Sequence, residues 1–171
     1  MARFDDLDIG AMVADDLDEV LLIDARALRS AWSRKHFVEE LSSPLALCYV
    51  ARGAEPHGAP LVGFAVVRVV RDECEVLTIA VDPRVRRRGV GRALLERALA
   101  DAEGRGARKA HLEVRAGNRA ARNLYALLGF GERGLRARYY ANPVEDALLM
   151  TADLRERSLS PSDRDPQPAS P

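Results

Sequence analysis

The sequence contains little cysteine, lysine or aromatic residue, and it carries no net charge. Cysteine occurs only at Cys48 and Cys74, a spacing that matches neither a metal site nor a redox motif, so reduced and partly buried thiols are expected. Lys35 and Lys109 are the only lysines, so nearly all basic residues are arginine. Because 26 basic residues balance 26 acidic ones, no overall basic field favours a nucleic-acid partner.

Long apolar runs are also absent from the sequence. No stretch approaches the roughly 20 apolar residues of a membrane-spanning helix, and no basic segment followed by an apolar one opens the chain. A cytoplasmic protein is therefore expected. The apolar fraction of 47% and the charged fraction of 30% are typical of a globular domain in water, and 171 residues are enough to bury one core.

A domain boundary is predicted near residue 154. After Leu159 the chain contains four prolines and no large apolar residue. Such a segment cannot bury enough apolar surface to offset the entropy that folding costs. We therefore expect one folded domain over residues 1–154 and a disordered Pro/Ser-rich tail over residues 155–171.

The apolar periodicity of the folded part predicts an α/β or α+β domain, with helices on both faces of a mixed sheet. Four segments have helical spacing: residues 15–27, 33 to about 42, 92–103 and 118–128. Six segments read as strands: residues 45–51, 61–70, 75–81, 110–114, 135–140 and 147–154. In the fourth strand Leu112 and Val114 share one face, and Glu113 lies on the other.

The segment from Ile79 to Arg92 joins the end of a strand to the start of a helix through arginines and two glycines. Gly89 and Gly91 let the backbone approach a ligand closely, and the first N–H groups of a helix have no intrahelical acceptor. The helix dipole adds about 0.3–1 kcal/mol for an anion, and arginine side chains add to this attraction. The pattern Arg-x-x-Gly-x-Gly-Arg over residues 86–92 thus favours a nest of N–H groups for a phosphate-bearing ligand.

Other interpretations of this glycine pattern stay open. A plain tight turn also uses Gly-x-Gly, whereas a dinucleotide-binding fold needs a third glycine where this chain has Leu94. A P-loop needs Gly-Lys-Ser or Gly-Lys-Thr, which is absent. A nucleic-acid patch is disfavoured because the arginines occupy one turn without interleaved aromatic residues. The arginines concerned are Arg84, Arg86, Arg87, Arg88 and Arg92.

Several motifs follow one another in a fixed order along the chain. They are Ile79-Ala80-Val81-Asp82-Pro83, residues 86–95, Leu112-Glu113-Val114-Arg115-Ala116-x-Asn118, Leu124-Tyr125-x-x-Leu128-Gly129-Phe130 and Arg138-Tyr139-Tyr140. Segments 31–37 and 145–147 extend the pattern to almost the whole folded part. With these motifs the sequence resembles the GNAT acetyltransferase superfamily, and within it the RimI-type ribosomal-protein alanine N-alpha-acetyltransferases. The resemblance implies the GNAT fold, with a central sheet of about six to seven strands.

The resemblance also implies roles for individual residues. Acetyl-CoA would be the co-substrate, without a metal, and the residues that would bind it are Ile79, Ala80, Val81, Arg86, Arg87, Arg88, Gly89, Val90, Gly91, Arg92 and Asn118. Glu113 would be the general base and Tyr125 the general acid. Trp32, Tyr139 and Tyr140 would line the acceptor site. The acceptor would be the N-terminal amine, in particular of an alanine, of a ribosomal or other protein, with neither nucleic acid nor membrane as a partner.

These residue types suit direct acetyl transfer. An α-amine with a pKa of about 7.7–8.0 is mostly protonated at neutral pH and must lose a proton before it attacks a thioester. A carboxylate can accept that proton, and a tyrosine hydroxyl can protonate or stabilise the leaving thiolate. Taken alone, Glu113 also fits the solvated face of a strand. Tyr125 lies off the line of Leu124 and Leu128, so it need not belong to the core.

Three rival activities stay open at this level. The first is a GNAT enzyme that acetylates a small amine or a lysine side chain, because the sequence does not distinguish an open groove from a closed pocket. The second is a catalytically silent acetyl-CoA sensor, against which the presence of both Glu113 and Tyr125 argues. The third is a nucleotide-binding or nucleic-acid-binding module built on the arginine cluster.

Overall fold

A computed structural model describes residues 7–28, 32–53 and 59–155 of the chain. The strands are β1 (Asp8–Ala11), β2 (Ala46–Arg52), β3 (Leu61–Val70), β4 (Glu73–Val81), β5 (Lys109–Arg115), β6 (Gly131–Ala141) and β7 (Val144–Asp153). The helices are α1 (Leu17–Ala27), α2 (Arg34–Leu41), α3 (Val90–Gly104) and α4 (Arg119–Leu127). The predicted tail lies outside the described residues except for Arg155.

Every helix and strand expected from the periodicity is present, with shifted ends. Helix α3 begins at Val90, two residues before the predicted start, and β6 begins at Gly131, four residues before it. The sequence analysis missed β1, which has four residues and a burial pattern without full alternation. So short a strand is defined by its pairing with β2 and not by its own pattern.

The seven strands form one mixed sheet in the order β1-β2-β3-β4-β5-β7-β6. Only β4 and β5 run parallel, and all other neighbours are antiparallel. The parallel pair requires a crossover, which α3 supplies. The prediction of a mixed sheet of six to seven strands is confirmed.

Helices cover both faces of this sheet, as the sequence predicts. Helices α3 and α4 bury Leu94, Leu99 and Tyr125 against one face. Helices α1 and α2 bury Val20 and Phe37 against the other face. The apolar stripes of the amphipathic helices therefore fix two separate cores, one on each side of the sheet.

The parallel strands β4 and β5 separate partway along their length. Residues 73–76 of β4 pair with residues 109–112 of β5, and the pairing ends there although both strands continue. Leu77 is an extra residue in β4, because Val76 pairs with Val67 of β3 and Thr78 pairs with Val66. This β-bulge bends the strand away from its neighbour. We call the gap between residues 77–81 of β4 and residues 113–115 of β5 the β4–β5 cleft.

Candidate active site

The two candidate catalytic side chains, Glu113 of β5 and Tyr125 of α4, are placed by the sheet and by the helix packed on it. Leu112 and Val114 pack in the core under α3 and α4, so Glu113 between them projects from the opposite face. Tyr125 of α4 belongs to the core on the α3/α4 side. The two side chains that the sequence singled out, Glu113 and Tyr125, therefore lie on opposite faces of the sheet.

Glu113 is held by two neighbours from β6. Arg136 Nη1 lies 2.7 Å from Glu113 Oε1, and the Glu113 side chain keeps 26% of its surface exposed. The Tyr139 hydroxyl donates a hydrogen bond to Glu113, and this bond raises the pKa of Tyr139. The guanidinium of Arg136 also lies 5.5 Å from the centre of the Tyr139 ring. Glu113 is thus a fixed, partly solvated carboxylate and not a mobile side chain on a strand surface.

Tyr125 is buried, with 7% of its surface exposed. Its ring packs 5.9 Å from the ring of Phe130. Burial raises the pKa of Tyr125 to about 12, so its hydroxyl keeps its proton at neutral pH. Among the described residues no group hydrogen-bonds this hydroxyl. Tyr125 can therefore offer a proton to a ligand in the cleft.

Tyr140 and Trp32 lie in separate surroundings. Arg115 stacks on the Tyr140 ring at 4.0 Å and also pairs with Glu145 at 3.3 Å. Trp32 packs against Phe37 of α2 with 5.0 Å between ring centres. Trp32 thus packs against the helix that, together with α1, covers one face of the sheet.

The turn before α3 has the backbone geometry of an anion-binding nest. Gly89 has a φ of 87° and Arg87 a φ of 64°, and such left-handed values are uncommon outside glycine. The first hydrogen bond of α3 joins the Ala93 N–H to the Gly89 carbonyl at 2.9 Å. The N–H groups of the three residues in between, 90–92, consequently have no intrahelical acceptor. The nest opens at the end of β4, beside the cleft.

Asp82, which the sequence analysis did not single out, braces this turn. Its carboxylate is buried, with 2% exposed, and accepts hydrogen bonds from the backbone N–H of Arg84 at 2.9 Å and from Arg84 Nη2 at 2.7 Å. Arg26 of α1 approaches the same carboxylate at 3.5 Å. The bonds from Arg84 hold the pKa of Asp82 at about 2. An aspartate followed by proline at a strand end is the signal that would have identified it.

Asn118 caps helix α4. Its side-chain oxygen accepts a hydrogen bond from the Ala121 N–H at 3.2 Å. Arg92, at the start of α3, pairs instead with Glu96 one turn later at 2.8 Å. The remaining arginines of the turn, Arg86, Arg87 and Arg88, are exposed.

Two further properties concern the part of the chain that the structure describes. No helix there combines the length and apolar character that crossing a bilayer requires. No group of three or more His, Cys, Asp or Glu side chains there is placed to hold a metal ion.

Comparison with known proteins identifies relatives of this chain. Residues 17–130 match the Acetyltransferase (GNAT) family. The [ribosomal protein bS18]-alanine N-acetyltransferase of Escherichia coli (strain K12) is 37% identical over 144 residues, which cover 83% of this chain and 94% of that protein. The N-alpha-acetyltransferase RimI of Mycobacterium tuberculosis (strain ATCC 25618 / H37Rv) is 38% identical over 151 residues, which cover 85% of this chain and 91% of that protein.

A solved structure agrees with these relatives. The crystal structure of the ribosomal-protein-S18-alanine N-acetyltransferase from Escherichia coli aligns with a TM-score of 0.78 at 34% identity, and the alignment covers 94% of this chain and 99% of that one. The chain described here therefore belongs to the GNAT acetyltransferase family.

Proposed function

We propose that this protein transfers the acetyl group of acetyl-CoA directly to the N-terminal α-amine of a protein, with an alanine of a ribosomal protein as the preferred acceptor. The observation that carries the proposal is the β4–β5 cleft with Glu113 on one face and Tyr125 on the other. The relatives named for alanine N-acetylation of a ribosomal protein support the choice of acceptor. The acceptor and its enzyme would meet in the cytoplasm, and residues 1–154 would form the catalytic domain, with residues 155–171 as an appended tail.

The donor would lie in the cleft and end at the anion nest. Family members take the acetyl group from acetyl-CoA. The backbone of Ile79, Ala80 and Val81 has no strand partner on the β5 side, so it can hydrogen-bond the amide groups of an extended pantetheine arm. The N–H groups of Val90 to Arg92 would then meet the pyrophosphate, with the arginines of residues 86–88 and Asn118 around it.

Glu113 would accept the proton that the acceptor amine must lose. The pair with Arg136 and the bond from Tyr139 hold the carboxylate at one place. Its remaining exposure lets it act directly or through one water. A positioned base contributes roughly 10²–10⁴ in rate, whereas alignment of two reactants contributes roughly 7–11 kcal/mol. Alignment in the cleft is therefore the larger effect.

Tyr125 would act on the leaving sulfur as a hydrogen-bond donor. A reference thiol has a pKa of about 8.5, and that of Tyr125 is about 12. Complete proton transfer from the phenol to the thiolate is then uphill by roughly 5 kcal/mol. The better role is stabilisation of the thiolate while the C–S bond breaks, because a preorganised donor in a dry site acts most strongly on charge that develops there.

The test is acetyl transfer followed by mass spectrometry. The purified protein and acetyl-CoA are mixed with three acceptor sets: peptides that differ only in their first residue, lysine peptides with blocked N-termini, and small polyamines. We expect acetyl on the α-amine of the alanine-starting peptide, and none on the same peptide with its N-terminus blocked. Acetyl confined to lysine or small amines would retain the donor and refute the acceptor. Acetyl-CoA binding without transfer to any acceptor would refute the enzyme assignment.

A further inference from the structure

Thr78 carries a buried hydroxyl beside the β4–β5 cleft. It follows the bulge residue Leu77 in β4, two positions after the last residue of that strand that pairs with β5. Only 8% of its surface is exposed, and its Oγ1 has no hydrogen-bond partner among the described residues. A hydroxyl in this state costs stability relative to a methyl group of the same shape.

No comparable side chain occurs in the described parts of the chain. Three other buried polar atoms there lack a hydrogen-bond partner, but each belongs to a side chain that bonds through another atom. Glu40 pairs with Arg68. His111 bonds Thr151 through Nδ1 at 3.0 Å. Arg122 bonds Glu132 at 2.7 Å. Thr78 is the one side chain of this set whose single polar group is entirely unpartnered.

The hydroxyl lies on the same face of the sheet as Glu113. Thr78 pairs with Val66, and both Val66 and Ala80 pack in the core under α1 and α2. Glu113 projects from this same face, on the strand across the cleft. The two polar side chains therefore lie on the same face of the sheet, on the two strands that border the cleft.

We propose that Thr78 is a catalytic residue whose hydroxyl hydrogen-bonds the incoming acceptor amine and aligns it for attack. This inference rests on the acetyl transfer proposed above. The amine nitrogen forms a bond to the acetyl carbon, the C–S bond breaks with its electron pair on sulfur, and the amine proton passes to Glu113. The Thr78 oxygen accepts one N–H of the amine throughout and exchanges no proton. A contact between the Thr78 hydroxyl and acetyl-CoA is disfavoured, because acetyl-CoA would lie along the backbone edge of β4.

The test compares Thr78→Val with Thr78→Ser. Valine keeps the shape and removes the hydroxyl, whereas serine keeps the hydroxyl. We expect Thr78→Val to lower kcat/KM for the acceptor about ten-fold, as for loss of one hydrogen bond. CoA affinity should stay within about two-fold and Tm should stay equal or rise, because the unpartnered hydroxyl is gone. Thr78→Ser should keep most of the activity.

Thr151→Val is the matched control, since Thr151 carries a partnered hydroxyl on the same sheet. We expect it to show the opposite pattern, a lower Tm with unchanged kcat/KM. Wild-type kcat/KM in Thr78→Val would overturn the inference, and so would a loss confined to CoA affinity. If the wild-type protein acetylates another class of amine, the variants are compared with that acceptor. That result would refute the proposed acceptor, and the same variants would still test the role of Thr78.

Discussion

Replacement of Asp82 by asparagine tests whether the turn before α3 is held in place by a buried charge. The pKa of Asp82 falls from its ordinary 3.8 to about 2 because Arg84 bonds the ionised form. That difference corresponds to roughly 2 kcal/mol of folding stability. Because the folded pKa is the lower one, this stability is fully present above pH 3.8 and disappears as pH falls through about 2. Asp82→Asn should therefore lower the free energy of unfolding by roughly 2 kcal/mol at pH 7, and the gap should close below pH 4.

The assay separates this loss of stability from an effect on the ligand. Denaturant unfolding at several pH values measures the first. Calorimetry with CoA and with pantetheine, which lacks the phosphates, measures the second. We expect CoA to bind Asp82→Asn about ten-fold more weakly, because the turn before α3 no longer holds the N–H groups of residues 90–92 in one arrangement. Pantetheine, which does not reach the nest, should bind both proteins alike.

Asp101→Asn provides the control. Asp101 lies on α3, well after the nest in the sequence. Its carboxylate accepts hydrogen bonds from the Tyr49 hydroxyl at 2.6 Å and from Arg97 Nε at 2.7 Å. We expect this variant to lose stability and to keep the ratio of CoA to pantetheine affinity. Equal losses for both ligands in Asp82→Asn would show that the carboxylate supports the fold and not the nest. Unchanged CoA affinity would refute the positioning argument.

Three further predictions concern the chemistry and the packing of the cleft. Glu113→Gln should lower the rate strongly near pH 7 and less above pH 9, where an α-amine with a pKa of about 7.7–8.0 loses its proton unaided; a wild-type rate at pH 7 would remove Glu113 from the mechanism. Tyr125→Phe should slow transfer about 10–100-fold while CoA affinity measured by calorimetry stays within about two-fold, and loss of binding would make the tyrosine structural. Gly63→Ala should lower the free energy of unfolding, measured in urea, by about 1–3 kcal/mol. The added Cβ would lie 2.9 Å from the Ala80 carbonyl oxygen and 3.0 Å from Leu94 Cδ1. An unchanged urea midpoint would mean that the surrounding atoms move to accommodate the Cβ.

Local pattern identified the elements that carry the candidate site. The stripe of Leu94, Leu95 and Leu99 predicts α3, and alternation around Glu113 predicts β5, because both signals depend only on neighbouring residues. The glycines of the turn predict its left-handed backbone, which Gly89 adopts. Asn118 predicts its own capping bond. The roles of Glu113 and Tyr125 came from the family resemblance and stay predictions until their variants are measured.

Contacts between residues that are far apart in the sequence could not be predicted from the local pattern. The ion pair of Glu113 with Arg136 joins β5 to β6, which lie on either side of β7. The brace between Arg26 and Asp82 joins residues 56 positions apart. Tyr125 lies off the apolar line of its helix, yet it is buried because Phe130 covers it. No local periodicity carries such information, since each contact requires the sheet order to be known first.

The sequence by itself determined the helices, most of the strands, the turn geometry before α3 and the membership in an acetyltransferase family, because these follow from local spacing and ordered motifs. Tertiary structure alone decided where the cleft opens. The pairing of β4 with β5 ends at Val76, where the bulge at Leu77 turns the strand away. That separation leaves a strand edge of β4 unpaired on the β5 side, next to the unpartnered Thr78 hydroxyl. Each of these features follows from where the two strands pair and where they separate. Strand pairing depends on the packing of the helices on both faces of the sheet, which local sequence does not specify.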